Sequence, residues 1–251
     1  MARDFIDHFA TLSSGYAHFR PSYPGELFAW LAEVAPTHQR VWDCATGTGQ
    51  AALALADHFK TVLATDASAS QLAAAEPHPG VQYRLAPAEN PGLEAASIDL
   101  VTVAQALHWF DRPRFFEEVE RVLRPGGVLA VWSYGLATVD DEAVDGLLRH
   151  LYHHILGPFW PAERALVENG YQDIELPFAG IPAPSFPMTT AWSLEQLLGY
   201  LATWSASARY RAERRSDPLD PIRQPLAAAW GEASARRWIH WPLTLKATRR
   251  P

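Results

Sequence analysis

"VWDCATGTGQAA", residues 41–52, places a carboxylate, Asp43, just before a loop that contains Gly47 and Gly49. An apolar, β-rich run precedes this loop, and "QAALALADHF", residues 50–59, has the alanine and leucine composition of a helix packed on a sheet. Glycines between a strand and a helix let a ligand lie against the backbone, where the N–H groups at the helix start face it. We therefore expect a ligand-binding turn here.

The alternation of strand and helix patterns continues to residue 133 and predicts βαβ units in a parallel sheet. Helices are expected at 68–76, with a serine as N-cap, and at 111–123, with Asp111 as cap. The five predicted strands are "RVWDCA" (40–45), "TVLATD" (61–66), "VQYRLA" (81–86), "IDLVTVAQAL" (98–107) and "GVLAVWSYG" (127–135).

A second acid, Asp66, ends the second predicted strand, 21 residues after Ala45. Its carboxylate can reach the same crevice and accept two hydrogen bonds from a ribose diol, which predicts an adenosine-type site. The segment "GTGQAA" also satisfies the G-x-G-x-x-A pattern of nicotinamide-binding Rossmann units, in which an acid follows after about 20 residues. On these residues alone, a dinucleotide and other adenosine-containing ligands both stay open.

The segment "IDLVTVAQALHWFDRPRFFEEVERVLRPGGVLAVW", residues 98–132, resembles the fourth strand, helix and fifth strand of a known family. This family is the class I S-adenosylmethionine-dependent methyltransferases of the methyltransferase-11-like small-molecule type. In it, the helix between the fourth and fifth strands ends in an L-[KR]-P-G-G turn. "DCATGTG", residues 43–49, is similar to the family's acid and G-x-G-x-G loop, with Ala45 in place of the first glycine. The resemblance implies S-adenosylmethionine as cofactor.

The resemblance assigns cofactor roles to particular residues of this chain. Asp66 matches the ribose-binding acid, and "PAEN", residues 87–90, matches the dipeptide beside the adenine. Asp43, the acid before the loop, would attract the ammonium of the methionine moiety and would repel a pyrophosphate. Gln105 is expected to contribute mainly backbone beside the methionine moiety. The predicted cofactor residues are Asp43, Ala45, Gly47, Gly49, Asp66, Ala88, Glu89, Gln105 and, from the N-terminal segment, Tyr16.

That N-terminal segment, "FATLSSGYAHFRPSYP" at residues 9–24, is similar to the part that folds over the cofactor in trans-aconitate methyltransferase-like proteins. Tyr16 is available to face the sulfonium, and Arg20 can bind a substrate carboxylate through two hydrogen bonds. The alternative is a lid packed by its own aromatic residues, with Arg20 on the surface.

The residues after the fourth strand are candidates for the methyl-transfer step. His108 lies where open α/β sheets place their ligands and is the candidate catalytic base, and Trp109 can form a wall for the substrate. The alternative is that His108 caps local backbone and Trp109 belongs to the core. No G-x-S-x-G motif occurs, which argues against a serine hydrolase.

Beyond residue 140 the pattern changes, with helices expected at 141–156 and 193–215 and an alternating edge strand at 238–250. We predict an α/β fold, a Rossmann-like seven-stranded class I methyltransferase sheet with a helical substrate cap near the C-terminus. The chain is expected to form one domain, 1–251, with an N-terminal lid at 1–35, a cofactor-binding core at 36–135 and a C-terminal part at 136–251. The C-terminal part would hold the cap at about 177–237 and a terminal hairpin of "YQDIELPF" (171–178) and "WPLTLKATRR" (241–250).

Composition narrows the classes of partner. The net charge is −7 and no long Lys/Arg block occurs, which argues against nucleic acid and anionic membranes. Cys44 is the single cysteine, the first residues lack a signal-peptide pattern, and no apolar run approaches the roughly 18 residues of a membrane span. We expect a cytoplasmic protein acting on a small molecule, and the oligomeric state stays open.

Two basic clusters do not indicate a functional site. Arg211, Arg214 and Arg215 recur at helical spacing and are interpreted as a solvated face. His150, His153 and His154 have no paired cysteines or H-E-x-x-H motif beside them, so no metal is expected. The predicted function is methyl transfer to a small molecule, at an oxygen of an organic acid. The alternatives are an NAD(P)-dependent oxidoreductase and a non-catalytic S-adenosylmethionine-binding protein.

Overall fold

The structure, a computed structural model, describes residues 19–251, so Tyr16 lies outside the described residues. A seven-stranded sheet has the order β3-β2-β1-β4-β5-β10-β7, in which β10 is antiparallel to both of its neighbours and the first five strands are parallel. Its strands are β1 Arg40–Cys44, β2 Thr61–Asp66, β3 Val81–Leu85, β4 Ile98–Ala104, β5 Leu123–Tyr134, β7 Ala179–Ile181 and β10 Leu243–Arg249.

Nine α-helices are described, together with short irregular turns at Leu107–Trp109 (3-10), Leu151–Ile155 (π) and Gly157–Phe159 (3-10). The α-helices are α1 Gly25–Val34, α2 Gln50–Ala56, α3 Ala69–Ala73, α4 Arg112–Val122, α5 Glu142–His150, α6 Arg164–Glu168, α7 Leu194–Ala202, α8 Ser205–Arg214 and α9 Asp220–Trp230. In the part of the chain that the structure describes, no helix is long and apolar enough to cross a membrane.

Helices cover both faces of the sheet because successive side chains of each buried strand point to opposite sides. Val41 of β1 packs in the apolar layer that contains Leu31 of α1 and Leu55 of α2. Trp42, the next residue, packs in the opposite layer with Phe115 of α4. Both layers exclude water, so β1 and β4 form a rigid base for the loops that follow them.

The strand order reverses between β1 and β4, which are paired in parallel with Cys44 opposite Val103. The loop after Cys44 and the turn after Ala104 therefore leave the sheet side by side at its carboxyl edge. In open α/β sheets this reversal point forms a crevice for ligands. The fold thus brings the predicted cofactor loop and the predicted substrate-side residues to one edge.

The C-terminal part corrects two strand predictions. Residues 171–178 form turns and loop, and the edge strand β7 starts only at Ala179. The alternating run at 238–250 is not one edge strand, because Pro242 divides it. Its second half, β10, lies inside the large sheet between β5 and β7. Proline lacks the N–H that a continuous ladder requires, so the chain changes sheets at this residue.

Residues 138–241, a wider range than the predicted cap at 177–237, contain a second, small sheet and most of a separate apolar core, and this region is called the cap below. Its strands, β6 Thr138–Val139, β8 Met188–Trp192 and β9 Arg237–Trp241, have the order β6-β9-β8. The helix expected at 141–156 is α5 continued by the π turn, and the helix expected at 193–215 is divided into α7 and α8. The division falls at Trp204, whose extended backbone interrupts the helix while its ring is buried against Tyr152 and Tyr200.

Two local predictions for helix starts have different outcomes. Ser68 caps α3 as expected, since its hydroxyl accepts a hydrogen bond from the backbone N–H of Gln71. Asp111 occupies the N-cap position of α4, but its side chain makes no capping hydrogen bond. Its backbone N–H instead donates to Glu89 Oε1 over 2.8 Å. The expected role of Asp111 as a side-chain cap is therefore wrong.

Candidate active site

The loop after β1 has the close approach that its glycines predict. Gly47 and Gly49 have φ values of +59° and +88°, a region that L side chains rarely adopt. A Cβ on Gly49 would overlap the Tyr83 hydroxyl, so a side chain there would have to displace the tyrosine ring. Ala45 also has a positive φ, 56°, so it keeps the backbone conformation of the glycine that it replaces, at a steric cost.

Asp66 ties this loop to the end of β2. Its Oδ2 accepts a hydrogen bond from the Gly47 N–H at 2.8 Å, and its Oδ1 accepts one from the Ser68 N–H, also at 2.8 Å. The half-buried carboxylate thus lies at the crevice beside the glycine loop, where the sequence predicted it. Two N–H donors fix its orientation, because each oxygen has a defined partner.

Asp43 lies beneath the loop and is only 1% exposed. Its two oxygens accept hydrogen bonds from the hydroxyls of Thr46, at 2.6 Å, and Thr102, at 2.7 Å. Burial raises the pKa of this carboxyl to about 6 against the opposing effect of both threonines, and the charge of Asp66 adds a smaller rise. The carboxylate therefore connects the loop to β4 from below.

The predicted dipeptide Ala88–Glu89 lies after β3, and two further residues near the ends of β2 and β3, Leu85 and Gln71, have unusual surroundings. Ala88 is buried, and Glu89 is held by the Asp111 N–H described above. Leu85, opposite Asp66 at the end of β3, is 59% exposed. Gln71 of α3 is buried, and neither polar atom of its amide has a partner among residues 19–251. The signal for Gln71 was a lone amide within an Ala/Leu-rich helix, five residues after Asp66.

Gln105 turns the chain sharply after β4. Its φ is +56°, its backbone N–H donates to Trp132 O at 2.9 Å, and its Nε2 donates to Tyr134 O at 3.0 Å. These bonds join the end of β4 to β5. They also direct the following turn, Leu107–Trp109, across the carboxyl edge of the sheet.

His108 lies on that turn and is paired with a residue far along the chain. Its Nδ1 is 2.8 Å from the hydroxyl of Tyr171, and its ring lies 4.6 Å from the Trp109 ring, centroid to centroid. Burial, with a smaller effect of the Arg164 charge, lowers the pKa of His108 to about 3. The imidazole is therefore neutral at physiological pH.

Arg20 and Trp109, the other predicted substrate-side residues, have different surroundings. Arg20 Nη1 donates to the Tyr134 hydroxyl at 2.9 Å, at the end of β5. Trp109 is half-buried beside His108. Tyr16, the predicted contact to the sulfonium, lies outside the described residues.

The arginine cluster forms a solvated face only in part, because Arg211 is half-buried. Arg214 and Arg215 are exposed, and Arg211 pairs with Asp217 at 3.4 Å. His150 and His154 are exposed and stack with ring centroids 5.2 Å apart. No group of three metal-ligating side chains occurs within residues 19–251.

Comparison with known proteins agrees with this architecture. Residues 42–131 match the methyltransferase domain family. A protein of Dictyostelium discoideum described as a methyltransferase is 34% identical over 229 residues, 90% of this chain and 87% of the relative. An uncharacterized methyltransferase of Mycobacterium tuberculosis is 33% identical over 227 residues, 90% of this chain and 88% of the relative. The solved structure of a protein from Anaeromyxobacter dehalogenans, described as a type II methyltransferase, is 45% identical; the match covers 92% of this chain and 97% of that one, with a TM-score of 0.85.

The reversed strand order, the glycine loop and Asp66 together define a nucleotide-binding protein of the doubly wound α/β class. The chain belongs to the class I methyltransferase family, and S-adenosylmethionine is the cofactor of that family. The fold class and the cofactor expected from the sequence are confirmed.

Proposed function

We propose that this protein transfers the methyl group of S-adenosylmethionine to a small organic acid, at a carboxylate oxygen. The observation that carries the proposal is the 2.8 Å hydrogen bond between the Gly47 N–H and Asp66, which joins the two halves of an adenosine-type site at the reversal point of the sheet. The proposal of an acidic substrate rests on the N-terminal resemblance to trans-aconitate methyltransferase-like proteins and on Arg20, which lies at the end of β5.

The described residues fit the cofactor. In this proposal Asp66, held beside the glycine loop by the Gly47 N–H, accepts hydrogen bonds from the ribose hydroxyls, and the backbone of the left-handed loop contacts the methionine moiety. The amide of Gln71 is a buried polar group without a protein partner among residues 19–251, which a polar ligand would supply. We assign the adenine to the surface formed by Leu85, Ala88 and Glu89.

Asp43 has a supporting role in this proposal. Because its oxygens are bound by Thr46 and Thr102, it stabilises the loop from beneath, and its charge acts on the cofactor ammonium at short range. A buried carboxylate also favours a cation more strongly than a solvated one does.

The bound cofactor supplies an electrophilic methyl group on a sulfonium. A carboxylate oxygen of the acceptor forms the new O–C bond as the S–C bond breaks, and the electron pair of that bond stays on the sulfur. No proton moves in this step, because a carboxylate is already ionised at neutral pH. The protein therefore has to orient the acceptor and exclude water, which dominate this kind of transfer.

The predicted catalytic residue His108 fits an orienting role better than a general base. A general base works best with a pKa near the working pH, and the pKa of His108 is about 3. A carboxylate acceptor does not require a base. We propose that Trp109 forms a wall of the chamber, that Arg20 binds substrate, and that Tyr16 closes over the sulfonium.

A thermal-shift comparison tests the proposal. The full chain is melted with S-adenosylmethionine, S-adenosylhomocysteine, NAD or NADP, each near 100 times its dissociation constant, where a ligand adds about 2.7 kcal/mol of stability. For a chain of this size each kcal/mol raises Tm by roughly 2–4 °C. We expect a rise with the two methionine-derived ligands alone. A rise with NAD or NADP instead supports the oxidoreductase alternative.

Turnover separates an enzyme from a non-catalytic binding protein. Formation of S-adenosylhomocysteine is followed by mass spectrometry with small carboxylic acids, trans-aconitate among them, as acceptors. Formation that depends on the acceptor and yields its methyl ester supports the proposal. Binding of both methionine-derived ligands without methyl transfer to any acceptor contradicts it.

A further inference from the structure

Arg164, the first residue of α6, lies on an aromatic platform in the cap. Its guanidinium carbon is 5.0 Å from the centroid of the Trp160 ring and 5.6 Å from that of Tyr152. Its Nε donates to the Tyr152 hydroxyl at 2.8 Å, and that hydroxyl donates to Glu168 at 2.5 Å. Two ring contacts and one hydrogen bond hold the guanidinium in one orientation.

The π turn explains how Tyr152 reaches this position. Tyr152 lies inside Leu151–Ile155, where the wider helical turn shifts side chains from the positions that α5 alone would give them. Single π turns are frequent at functional sites. Tyr152 is buried, so its hydroxyl is a fixed support for Arg164 rather than a solvent-exposed one.

The outer end of Arg164 has no acidic partner. Among residues 19–251, no carboxylate oxygen lies within 4.0 Å of its nitrogens. Its Nη atoms make no hydrogen bond to another described residue, and they are not fully buried. Two other cap arginines, in contrast, are neutralised: Arg223 pairs with Asp217 at 3.3 Å and Arg237 with Asp141 at 2.8 Å. A guanidinium that is held in one orientation and whose Nη atoms have no described partner can bind a planar anion through two hydrogen bonds.

Arg164 and His108 lie on elements that pack against each other. The helix α6 packs against the Leu107–Trp109 turn, and the positive charge of Arg164 contributes to lowering the pKa of His108. An anion bound between these two residues would therefore lie at the carboxyl end of β4, on the substrate side of the site.

Tyr171 determines which nitrogen of His108 carries the proton. Burial raises the pKa of the Tyr171 hydroxyl far above its usual value, so the hydroxyl keeps its proton at neutral pH. The only described side chain that this hydroxyl contacts by hydrogen bonding is His108, at Nδ1. Since a buried hydroxyl needs an acceptor, it donates to Nδ1, and the imidazole proton lies on Nε2. His108 thus presents an N–H donor at its other edge.

We infer that Arg164 and the Nε2–H of His108 form an anion site that binds a carboxylate of the methyl acceptor. Neither residue was assigned this role by the sequence pattern, which pointed to Arg20 for the carboxylate. The inference rests on the proposed function and makes it more specific: it names the two donors that select an acidic acceptor.

The test is a set of matched acceptors with the full chain and S-adenosylmethionine, read out as S-adenosylhomocysteine formation. Succinate, benzoate and trans-aconitate are compared with their amides and with phosphoethanolamine. We expect turnover with carboxylates and not with the amides. Arg164→Gln is expected to raise KM for the best carboxylate at least tenfold, with a smaller effect on kcat, and Arg164→Lys is expected to raise it less.

Matched controls keep the two proposals separate. Arg209→Gln removes the same charge from α8, at a half-buried cap position without a described ion pair, and should leave KM unchanged. Titration calorimetry with S-adenosylhomocysteine should give the same affinity for wild type, Arg164→Gln and Arg164→Lys, which also shows that the variants fold.

Three outcomes overturn the inference while the proposed cofactor site stands. The first is an unchanged KM for the best carboxylate in Arg164→Gln. The second is a protein that binds S-adenosylhomocysteine but methylates none of the carboxylates, and the third is a preference for phosphoethanolamine over every carboxylate. A wild-type protein that does not bind S-adenosylhomocysteine overturns the proposed function itself, and this inference with it.

Discussion

The backbone N–H of Gly47 donates to Asp66 Oδ2 over 2.8 Å, and this bond joins the loop after β1 to the end of β2. A residue that is expected to bind the ribose thus also holds the loop that is expected to contact the methionine moiety. The two parts of the cofactor site are mechanically connected, so damage to one is expected to affect the other.

Asp66→Ala is expected to weaken S-adenosylhomocysteine binding at least tenfold, which is about 1.4 kcal/mol or more. The ribose loses charge-assisted hydrogen bonds, and the Gly47 and Ser68 N–H groups lose their acceptor. Titration calorimetry measures the affinity. Asp57→Ala, at an exposed position after α2, is the control and should bind normally. An unchanged affinity in Asp66→Ala would remove Asp66 from the site.

Ala45→Gly is expected to raise the free energy of unfolding by about 1 kcal/mol. Ala45 has a φ of 56°, where an alanine is strained and a glycine is not. Urea denaturation measures the change. Ala54→Gly, inside α2, is the matched control and should lower stability by about 1 kcal/mol, since the same substitution in a helix increases backbone freedom. A loss of stability in both variants contradicts the assignment of strain to Ala45.

Asp43 is expected to make stability depend on acidity between about pH 4 and 6. Its pKa is raised by burial from 3.8 to about 6, so the folded chain binds its proton at a higher pH than the unfolded chain does. The cost of burying the charged form is therefore present above pH 6 and disappears as the pH falls to 4. Asp43→Asn lacks this change.

The measurement for Asp43 is urea denaturation of wild type and Asp43→Asn from pH 7 to pH 4. The difference in unfolding free energy should shift in favour of wild type by about 2 kcal/mol over this range. Asp57→Asn controls for the loss of one acidic charge from the surface. A difference that stays constant with pH would show that Asp43 is not the titrating group.

His108→Ala is expected to lower kcat with a carboxylate acceptor while S-adenosylhomocysteine affinity stays nearly the same. The imidazole is neutral, with a pKa of about 3, so wild-type kcat should show no ionisation step near pH 6.5. Steady-state rates from pH 5.5 to 8.5 check this. Tyr171→Phe removes the bond to Nδ1 and should reproduce part of the loss. A kcat that rises through pH 6.5 in wild type and not in His108→Ala would restore His108 as a general base.

Much of the core could be predicted because its signals are local. Asp66 and the Gly47 loop lie at the ends of buried strands, and parallel strands bring their carboxyl ends to one edge. Gln71 could not be predicted, since its isolation comes from the packing of α3 and not from its neighbours in the sequence. The site roles of all the predicted residues, Asp66 and the glycine loop included, stay predictions.

The cap was less predictable than the core. Residues 171–178 have a strand-like composition, yet they form the turn that places Tyr171 against His108, 63 residues away. The run from Trp238 to Arg250 alternates like one strand, yet Pro242 divides it between two sheets. Alternation shows which side chains share one face of a strand, but it does not show which sheet that strand joins.

The sequence by itself determined the class of fold and the positions of the Gly47 loop and Asp66 at the ends of neighbouring strands, because strand and helix periods and turn glycines act over a few residues. Only the tertiary structure decided the arrangement that is proposed to bind substrate. Arg164, Tyr152, Tyr171 and His108 come from separate segments, and their pairing depends on long-range packing of the cap on the sheet. Burial, hydrogen-bond partners and the protonation of His108 follow from that packing, and none of them is encoded in a local pattern.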